Sequence, residues 1–321
     1  MLPALHRQAV SLPARDESEV KSRRLTAADE AELRSLLGDD VWNGVYLLGM
    51  LHAYGIESPR SRFTGAFVRD RLVGVLGEAR EVHCWYASLA GREPAAARVF
   101  AASLRAPQVE VLLGPESLVA SLLRDLPPAR VRRTTRMVLS IGWDGMSIPR
   151  PAHPVRRATP SDLLGLVDLY EGYEFDGYPT RRHLHRALEE RITKSAVYLI
   201  ELDGRPVAAR RLDASCPEVA LFGGLTVHPD YRGRSLGRDV RFGSGRDLCD
   251  RGIAQCSLRD RANPYMGDYE LRDHAPWLVT NLTSPTPAVW SEIVHRMRAR
   301  ISPWDRPCRR RRPSFTATAE V

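Results

Sequence analysis

The sequence lacks long hydrophobic runs, closely paired cysteines and, almost entirely, lysine. No stretch approaches the roughly 18 to 20 consecutive apolar residues of a membrane-spanning helix, and residues 1–24 lack the continuous apolar core of a secretory signal. The five cysteines are widely spread and form no CxxC pair, which excludes the usual spacing of a zinc site. We therefore expect a cytoplasmic protein with reduced cysteines, no membrane partner and no metal.

Positive charge is plentiful but unevenly placed. The chain has 321 residues and a formal net charge of +8, and only two of its 47 basic residues are lysine. Residues 291–321 contain eight arginines and three acidic residues, so five of the eight net charges belong to this end. Such arginine runs are typical of solvated, disordered tails. We predict no specific nucleic-acid partner, although the tail could bind polyanions nonspecifically.

An internal repeat divides the chain. With 43% hydrophobic and 27% charged residues, the composition is that of a soluble protein, and the length favours two domains. Thr26 and Asp29 precede a helical apolar pattern, and Thr159 and Asp162 precede a similar pattern 133 residues later. In each copy the hydroxyl and the carboxylate can cap the first turn of a helix.

A second repeated element follows at nearly the same offset. Segments 67–75 and 200–208 both predict a strand, a tight turn and a returning strand. Two matches at one offset indicate two copies of one α+β unit, each a mixed, mostly antiparallel sheet flanked by helices. The domain boundaries we predict are a polar leader at 1–22, two copies at 23–148 and 154–283, and a C-terminal helix with an Arg-rich tail at 284–321.

The most informative segment is 221–238, which reads LFGGLTVHPDYRGRSLGR. An apolar strand enters a turn of arginine and glycine, and a helix starts at once. Such a turn can direct several backbone N–H groups and the positive end of a helix dipole at one place, which suits a pyrophosphate. Gly233 and Gly237 let the backbone approach the ligand closely. Three arginines add charge that phosphate oxygens can accept, namely Arg232, Arg234 and Arg238.

This segment resembles the acyl-CoA-binding motif of the GCN5-related N-acetyltransferases, whose pattern is (Gln/Arg)xxGx(Gly/Ala) after a strand. Residues 232–237 fit this pattern except that Ser235 stands at the first motif glycine. The resemblance covers about 154–283 and extends weakly to the first copy. Around Arg98 the first copy has the helical pattern but not the turn, so we expect it to keep the fold without binding acyl-CoA.

The resemblance implies acetyl-CoA as the cosubstrate. In that family the pantetheine arm lies between two strands that part at a bulge, for which Gly223 and Gly224 are the natural position. The alternative is that this glycine pair forms an ordinary strand distortion with no part in binding. The residues expected to contact the cofactor are Leu225, Thr226, Val227, Arg232, Gly233, Arg234, Ser235, Leu236, Gly237, Arg238 and Asn263.

Acyl transfer to an amine needs positioning, a donor for the oxyanion and a proton for the thiolate. The family's oxyanion donor is a backbone N–H near Val227. Glu218 is the candidate base, acting through water, and Tyr265 is the candidate acid because it lies close to Asn263. The alternatives are a solvated Glu218 and a Tyr265 that only packs in its loop.

The acceptor side is expected in the loop between the first two helices of the second copy. Glu174, Asp176 and Tyr178 would favour a cationic amine through charge and aromatic ring faces, unless these aromatics face the core instead. The sequence thus predicts an acyl-CoA-dependent N-acetyltransferase that moves an acetyl group to an amine of a small molecule or peptide, by direct attack in a ternary complex. The alternative is a noncatalytic acyl-CoA-binding regulatory or interaction protein.

Overall fold

The computed structural model describes residues 20–80, 84–104, 109–142, 148–173, 180–194, 196–259 and 272–282. The described strands and helices of the first half are β1 (Lys21–Arg24), α1 (Glu30–Gly38), α2 (Val45–Tyr54), β2 (Ser61–Val68), β3 (Arg71–Arg80), β4 (Trp85–Gly91), α3 (Ala101–Leu104), β5 (Val109–Pro115), α4 (Glu116–Leu123) and β6 (Val131–Ile141). Those of the second half are β7 (Arg156–Arg157), α5 (Leu163–Tyr173), α6 (Arg181–Thr193), β8 (Val197–Leu202), β9 (Arg205–Ser215), β10 (Val219–Val227), α7 (Leu236–Asp250), β11 (Ala254–Arg259) and β12 (Arg272–Leu282).

The two halves repeat one order of elements. Each begins with a short strand and two helices, continues with three antiparallel strands, and then crosses through helical turns to a strand that lies parallel to the previous one. The predicted repeat and the predicted α+β class are confirmed.

All described strands join one twelve-stranded sheet, in the order β1-β2-β3-β4-β5-β12-β6-β11-β10-β9-β8-β7. Among the strands that the structure describes, only the pairs β4–β5 and β10–β11 are parallel, so the sheet is mixed and mostly antiparallel as expected. The last strands of the two halves are exchanged. Strand β12 lies between β5 and β6, and β6 lies between β12 and β11. The predicted junction at 142–154 falls between β6 and β7, and the domain boundaries themselves remain a prediction.

Helices cover both faces of the sheet in the second half. Because successive residues of a strand point to opposite faces, Val197 and Leu199 of β8 pack with α5 and α6, whereas Tyr198 and Ile200 pack with α7. Helix α2 of the first half also contacts β9 and β10 and contributes to a core shared by both halves. The sheet and its cores therefore fix the positions of β9, β10 and α7, which carry the candidate site.

Both predicted helix starts are capped by the same set of hydrogen bonds. In the second copy, Asp162 accepts hydrogen bonds from the backbone N–H of Thr159 at 2.7 Å and from two guanidinium nitrogens of Arg156 at 2.7 Å each. In the first copy, Asp29 accepts the equivalent bonds from Thr26 and Arg23. The Arg156 hydrogen bonds lower the pKa of Asp162 to about 2. The bonds from Arg23 likewise hold the pKa of Asp29 well below its ordinary value.

Asp162→Asn is expected to lower the free energy of unfolding by about 1–3 kcal/mol, because the amide no longer offers a charged acceptor to Arg156. Since the folded-state pKa lies below the ordinary value of 3.8, this stabilisation is complete above about pH 4 and is lost as the pH falls through about 2. Urea unfolding at neutral pH and near pH 3 measures both effects. Asp168→Asn is the control, since its exposed ion pair with Arg181 should contribute less than about 1 kcal/mol. Equal losses in the two variants would contradict the prediction.

Three further observations concern membrane-spanning helices, disulfide bonds and metal-ligating side chains. No helix within the described ranges is long and apolar enough to cross a membrane. The described cysteines carry no disulfide and are Cys84, Cys216, Cys249 and Cys256. Across the same residues, no three side chains of histidine, cysteine, aspartate or glutamate come together in a way that could hold a metal ion.

Candidate acyl-CoA site

Strands β10 and β11 part halfway along β10. They pair from Val219 to Phe222 on β10 and from Ala254 to Ser257 on β11, and no pairing of the described residues continues beyond that point. The remaining residues of β10, 223–227, therefore present backbone N–H and C=O groups along an edge facing β11. Such an edge can pair with an extended chain.

A bulge in β10 causes the strands to part. The register of β10 against β9 shifts between Leu221 and Phe222 and again between Gly223 and Thr226, and Gly224 has a φ of 50°. The predicted bulge at this glycine pair is confirmed. An inserted residue bends the strand and disrupts its ladder locally.

Two buried side chains hold the bulge in place. The hydroxyl of Tyr170 on α5 donates a hydrogen bond of 2.8 Å to the carbonyl of Gly224. The guanidinium of Arg211 on β9 occupies the space that a Cβ at Gly224 would need. Arg211 is itself held by a hydrogen bond of 3.0 Å from its Nε to Asp213 Oδ1. Residue 224 must therefore be glycine both for its backbone conformation and for the space beside it.

The chain turns sharply between β10 and α7. A 3-10 turn at Pro229–Tyr231 leads to Gly233 with a φ of 78° and Ser235 with a φ of 62°, and α7 begins at the next residue. The serine hydroxyl makes no capping hydrogen bond, although serine is a favoured N-cap residue. The first N–H groups of a helix lack partners within the helix. The start of this fifteen-residue helix is thus arranged to bind an anion.

Positive charge surrounds this turn. Arg232, Arg234 and Arg238 are exposed, and Arg232 Nε donates a hydrogen bond of 3.2 Å to the carbonyl of Val227. Gly237 leaves the first turn of α7 open, since a Cβ there would meet only Val227 Cγ2, at 3.4 Å. The structure therefore brings these predicted contact residues together at the end of β10, with Leu225 and Thr226 on the adjoining edge of the strand.

The remaining predicted site residues are less well supported. Glu218 is exposed and precedes β10, so about nine residues of strand, roughly 30 Å, separate it from Val227. A hydrogen bond from the Cys216 thiol lowers the pKa of Glu218, which is the direction opposite to the one a general base needs. Its role stays a prediction. The other candidates, namely Asn263, Tyr265, Glu174, Asp176 and Tyr178, lie outside the described residues.

Within the described part of the first copy, no turn equivalent to 232–237 follows β4. Strand β4 is followed by a 3-10 segment at Pro94–Phe100 that continues directly into α3, so the described residues here are helical as expected. Arg98, near the position equivalent to Arg232, is bound to Asp125, with its Nε 2.7 Å from Oδ2. The features of the second-copy site are accordingly not repeated here.

Sequence reasoning missed Arg210 and Arg211 as residues of this site, and it did not predict that Tyr170 holds the bulge. Arg210 and Arg211 are buried neighbours on β9, one facing α7 and the other facing α5. Two adjacent charges inside the apolar strand RPVAARRLDAS were the available signal, because charged side chains are rarely buried without a partner. Tyr170 carried no comparable signal, since it fits the apolar pattern of its helix.

Solved structures share this fold. An acetyltransferase of the GNAT family from Colwellia psychrerythraea is 13% identical, with a TM-score of 0.51, over 82% of this chain and 99% of that one. A tandem GNAT protein from the clavulanic acid biosynthesis pathway is 14% identical, with a TM-score of 0.55, over 84% of this chain and 100% of that one. A GCN5-related N-acetyltransferase from Sphaerobacter thermophilus is 12% identical, with a TM-score of 0.52, over 83% and 96%.

No protein-family model and no curated protein sequence matches the chain. At these identities the structural likeness establishes the fold alone. The chain has the fold of the GCN5-related N-acetyltransferases in its tandem form, as the motif at 232–237 led us to expect.

Proposed function

We propose that the protein is an acyl-CoA-dependent N-acetyltransferase whose second copy binds acetyl-CoA. The main observation behind this proposal is that residues 223–227 of β10, which pair with no described residue on the β11 side, lead directly into the start of α7. A pantetheine arm can pair with that edge while a pyrophosphate binds the N–H groups and arginines of the turn. The open space at Gly237 fits a ligand that lies against the helix start.

The chemistry follows from this placement. Acetyl-CoA supplies an activated thioester. The edge of β10 would hold that thioester in line with an incoming amine, and a backbone N–H near Val227 would stabilise the oxyanion. The amine nitrogen forms a C–N bond to the carbonyl carbon, the C–S bond breaks with its electron pair going to sulfur, and the amine loses a proton. The protein's main contribution is position and charge.

An amine acceptor could reach the thioester from the face of α5 and α6. A cavity of about 300 Å³ lies between α2 and α6 with residues 212–215 of β9 as its floor. Asp213 on that floor lies directly against Gly223 of the bulge, and Glu190 adds a second carboxylate to the lining. Both carboxylates already have guanidinium partners, Asp213 with Arg211 and Glu190 with Arg60, so an amine-bearing small molecule or peptide would compete with these arginines for them.

The separation of Glu218 from Val227 by the nine residues of β10 favours a second candidate, a noncatalytic acyl-CoA-binding regulator. Calorimetry with coenzyme A and acetyl-CoA, followed by a thiol-release assay over a panel of amines, separates the two functions. The acetyltransferase proposal expects saturable binding and amine-dependent thiol release. Binding without release on any amine would favour the regulator. If neither ligand binds, both candidates fail.

A further inference from the structure

Arg210 on β9 is a buried cation whose described partners are neutral. Its side chain is almost fully enclosed. Its Nη2 donates to Ser257 Oγ at 2.8 Å and its Nη1 to Ser244 Oγ at 3.3 Å, and its guanidinium carbon lies 3.6 Å from the centroid of the Phe222 ring. Among the described residues, no carboxylate forms a hydrogen bond or ion pair with it.

Burying a guanidinium without a counter-ion is unfavourable, because two hydroxyls and a ring do not replace the lost hydration of a full charge. Burial lowers the pKa of Arg210 well below its usual range, and the nearby charge of Arg241 on α7 lowers it further. The other titratable groups that act on Arg210 are the thiol of Cys256 on β11, the phenol of Tyr198 on β8 and the carboxylate of Asp213 on its own strand. An anion bound beside Arg210 would supply the counter-ion that this buried guanidinium lacks among the described residues.

The location of Arg210 suggests which anion that is. Phe222 of β10 and Ser257 of β11 form the last pair between these two strands. The guanidinium that contacts both of them therefore lies where the two strands begin to part. A pantetheine arm whose pyrophosphate binds at the start of α7, and which runs along the edge of β10 from Val227 back toward Phe222, would bring its sulfur toward this point.

We propose that Arg210 stabilises the thiolate of coenzyme A as it leaves the acyl group. The proposal rests on the proposed function, since it assumes that the second copy binds coenzyme A between β10 and β11. As the amine nitrogen bonds to the carbonyl carbon and the C–S bond breaks, the electron pair goes to sulfur, next to the guanidinium. Arg210 keeps its proton throughout, and the proton lost by the amine goes to water. A general acid is then not required for release of the thiolate.

The thiol of bound coenzyme A tests this assignment without knowledge of the acceptor. A cation within about 4–6 Å lowers the pKa of an acidic group by about 1–3 units. In the wild-type complex, the thiolate ultraviolet absorbance should therefore appear at least about one pH unit lower than in free coenzyme A. The complex with desulfo-coenzyme A, which has no thiol, is the blank. By linkage, affinity for coenzyme A should rise with pH, whereas affinity for desulfo-coenzyme A should not.

Arg210→Met should abolish this shift, and Arg210→Lys, which keeps the charge, should retain it. The methionine variant should melt no lower than the wild type, because a buried charge is replaced by an apolar side chain of similar length. Arg130→Met is the matched control. Arg130 is a partly buried arginine of the first copy whose pKa burial also lowers, and its loss should leave the thiol shift unchanged.

The outcomes separate the two proposals. If the wild type binds coenzyme A with an unshifted thiol, the role of Arg210 is overturned while the proposed function stands. A shift that survives in a folded Arg210→Met variant overturns it as well. If the methionine variant does not fold, Arg210→Gln, which can still donate to Ser257, is the neutral replacement, and the same loss of the shift is expected. If the wild type does not bind coenzyme A, the proposed function itself fails.

Discussion

Gly237→Val is expected to reduce the affinity for coenzyme A about hundredfold or more while leaving the protein folded. The valine side chain would project from the first turn of α7 into the space where the pyrophosphate is proposed to bind. Losing about two charge-assisted hydrogen bonds, at roughly 1.5–3 kcal/mol each, corresponds to this factor. Isothermal calorimetry with coenzyme A measures the change.

The fold should tolerate this substitution for two reasons. A Cβ at Gly237 meets only Val227 Cγ2, at an ordinary contact distance of 3.4 Å. Valine is also no worse than glycine inside a helix. Gly38→Val is the matched control, because Gly38 ends α1 of the first copy and a Cβ there has nothing within 4 Å. An unchanged affinity in a folded Gly237→Val variant would remove the anion site from the start of α7.

Features that depend on nearby residues were predictable from the sequence. The two helix caps each join residues only three to six positions apart, such as Thr159 and Arg156 with Asp162, so their pattern is visible in the sequence. The hairpin between β8 and β9 likewise has a local signal in Asp203 and Gly204, which both adopt positive φ. Repetition of these local signals at one offset revealed the two copies.

The exchange of β6 and β12 between the two halves of the sheet could not be predicted from the sequence. Strand β6 pairs with β11, with Leu139 opposite Leu258, and β12 pairs with β5, with Val279 opposite Leu113. These partners are more than 100 residues apart. An apolar strand carries no mark of which distant strand it will pair with, because pairing is set by packing over the whole sheet.

The candidate site also combines features that nearby residues determine with features that distant residues determine. The turn from Arg232 to Gly237 was predictable because its glycines and arginines are consecutive in sequence and lead directly into a helix. Tyr170 and Arg211 act on Gly224 from 54 and 13 residues away, through the packing of α5 and β9 against β10. Ser235 lies between these cases. Its left-handed φ of 62° explains why the motif usually has glycine at this position.

Gly224→Ala is expected to lower the free energy of unfolding by about 2–4 kcal/mol and to weaken coenzyme A binding. A left-handed φ for a residue with a Cβ costs about 1–2 kcal/mol. The Cβ would also displace the Arg211 guanidinium, which is nearly fully enclosed and held by Asp213, so it cannot simply move aside. Gly204→Ala isolates the first effect, since Gly204 has a φ of 73° with nothing within 4 Å of its Cβ position. In urea unfolding the Gly224 variant should lose clearly more stability than the Gly204 variant. Equal losses would mean that Arg211 does not support the bulge, and the parting of β10 from β11 would then need another cause.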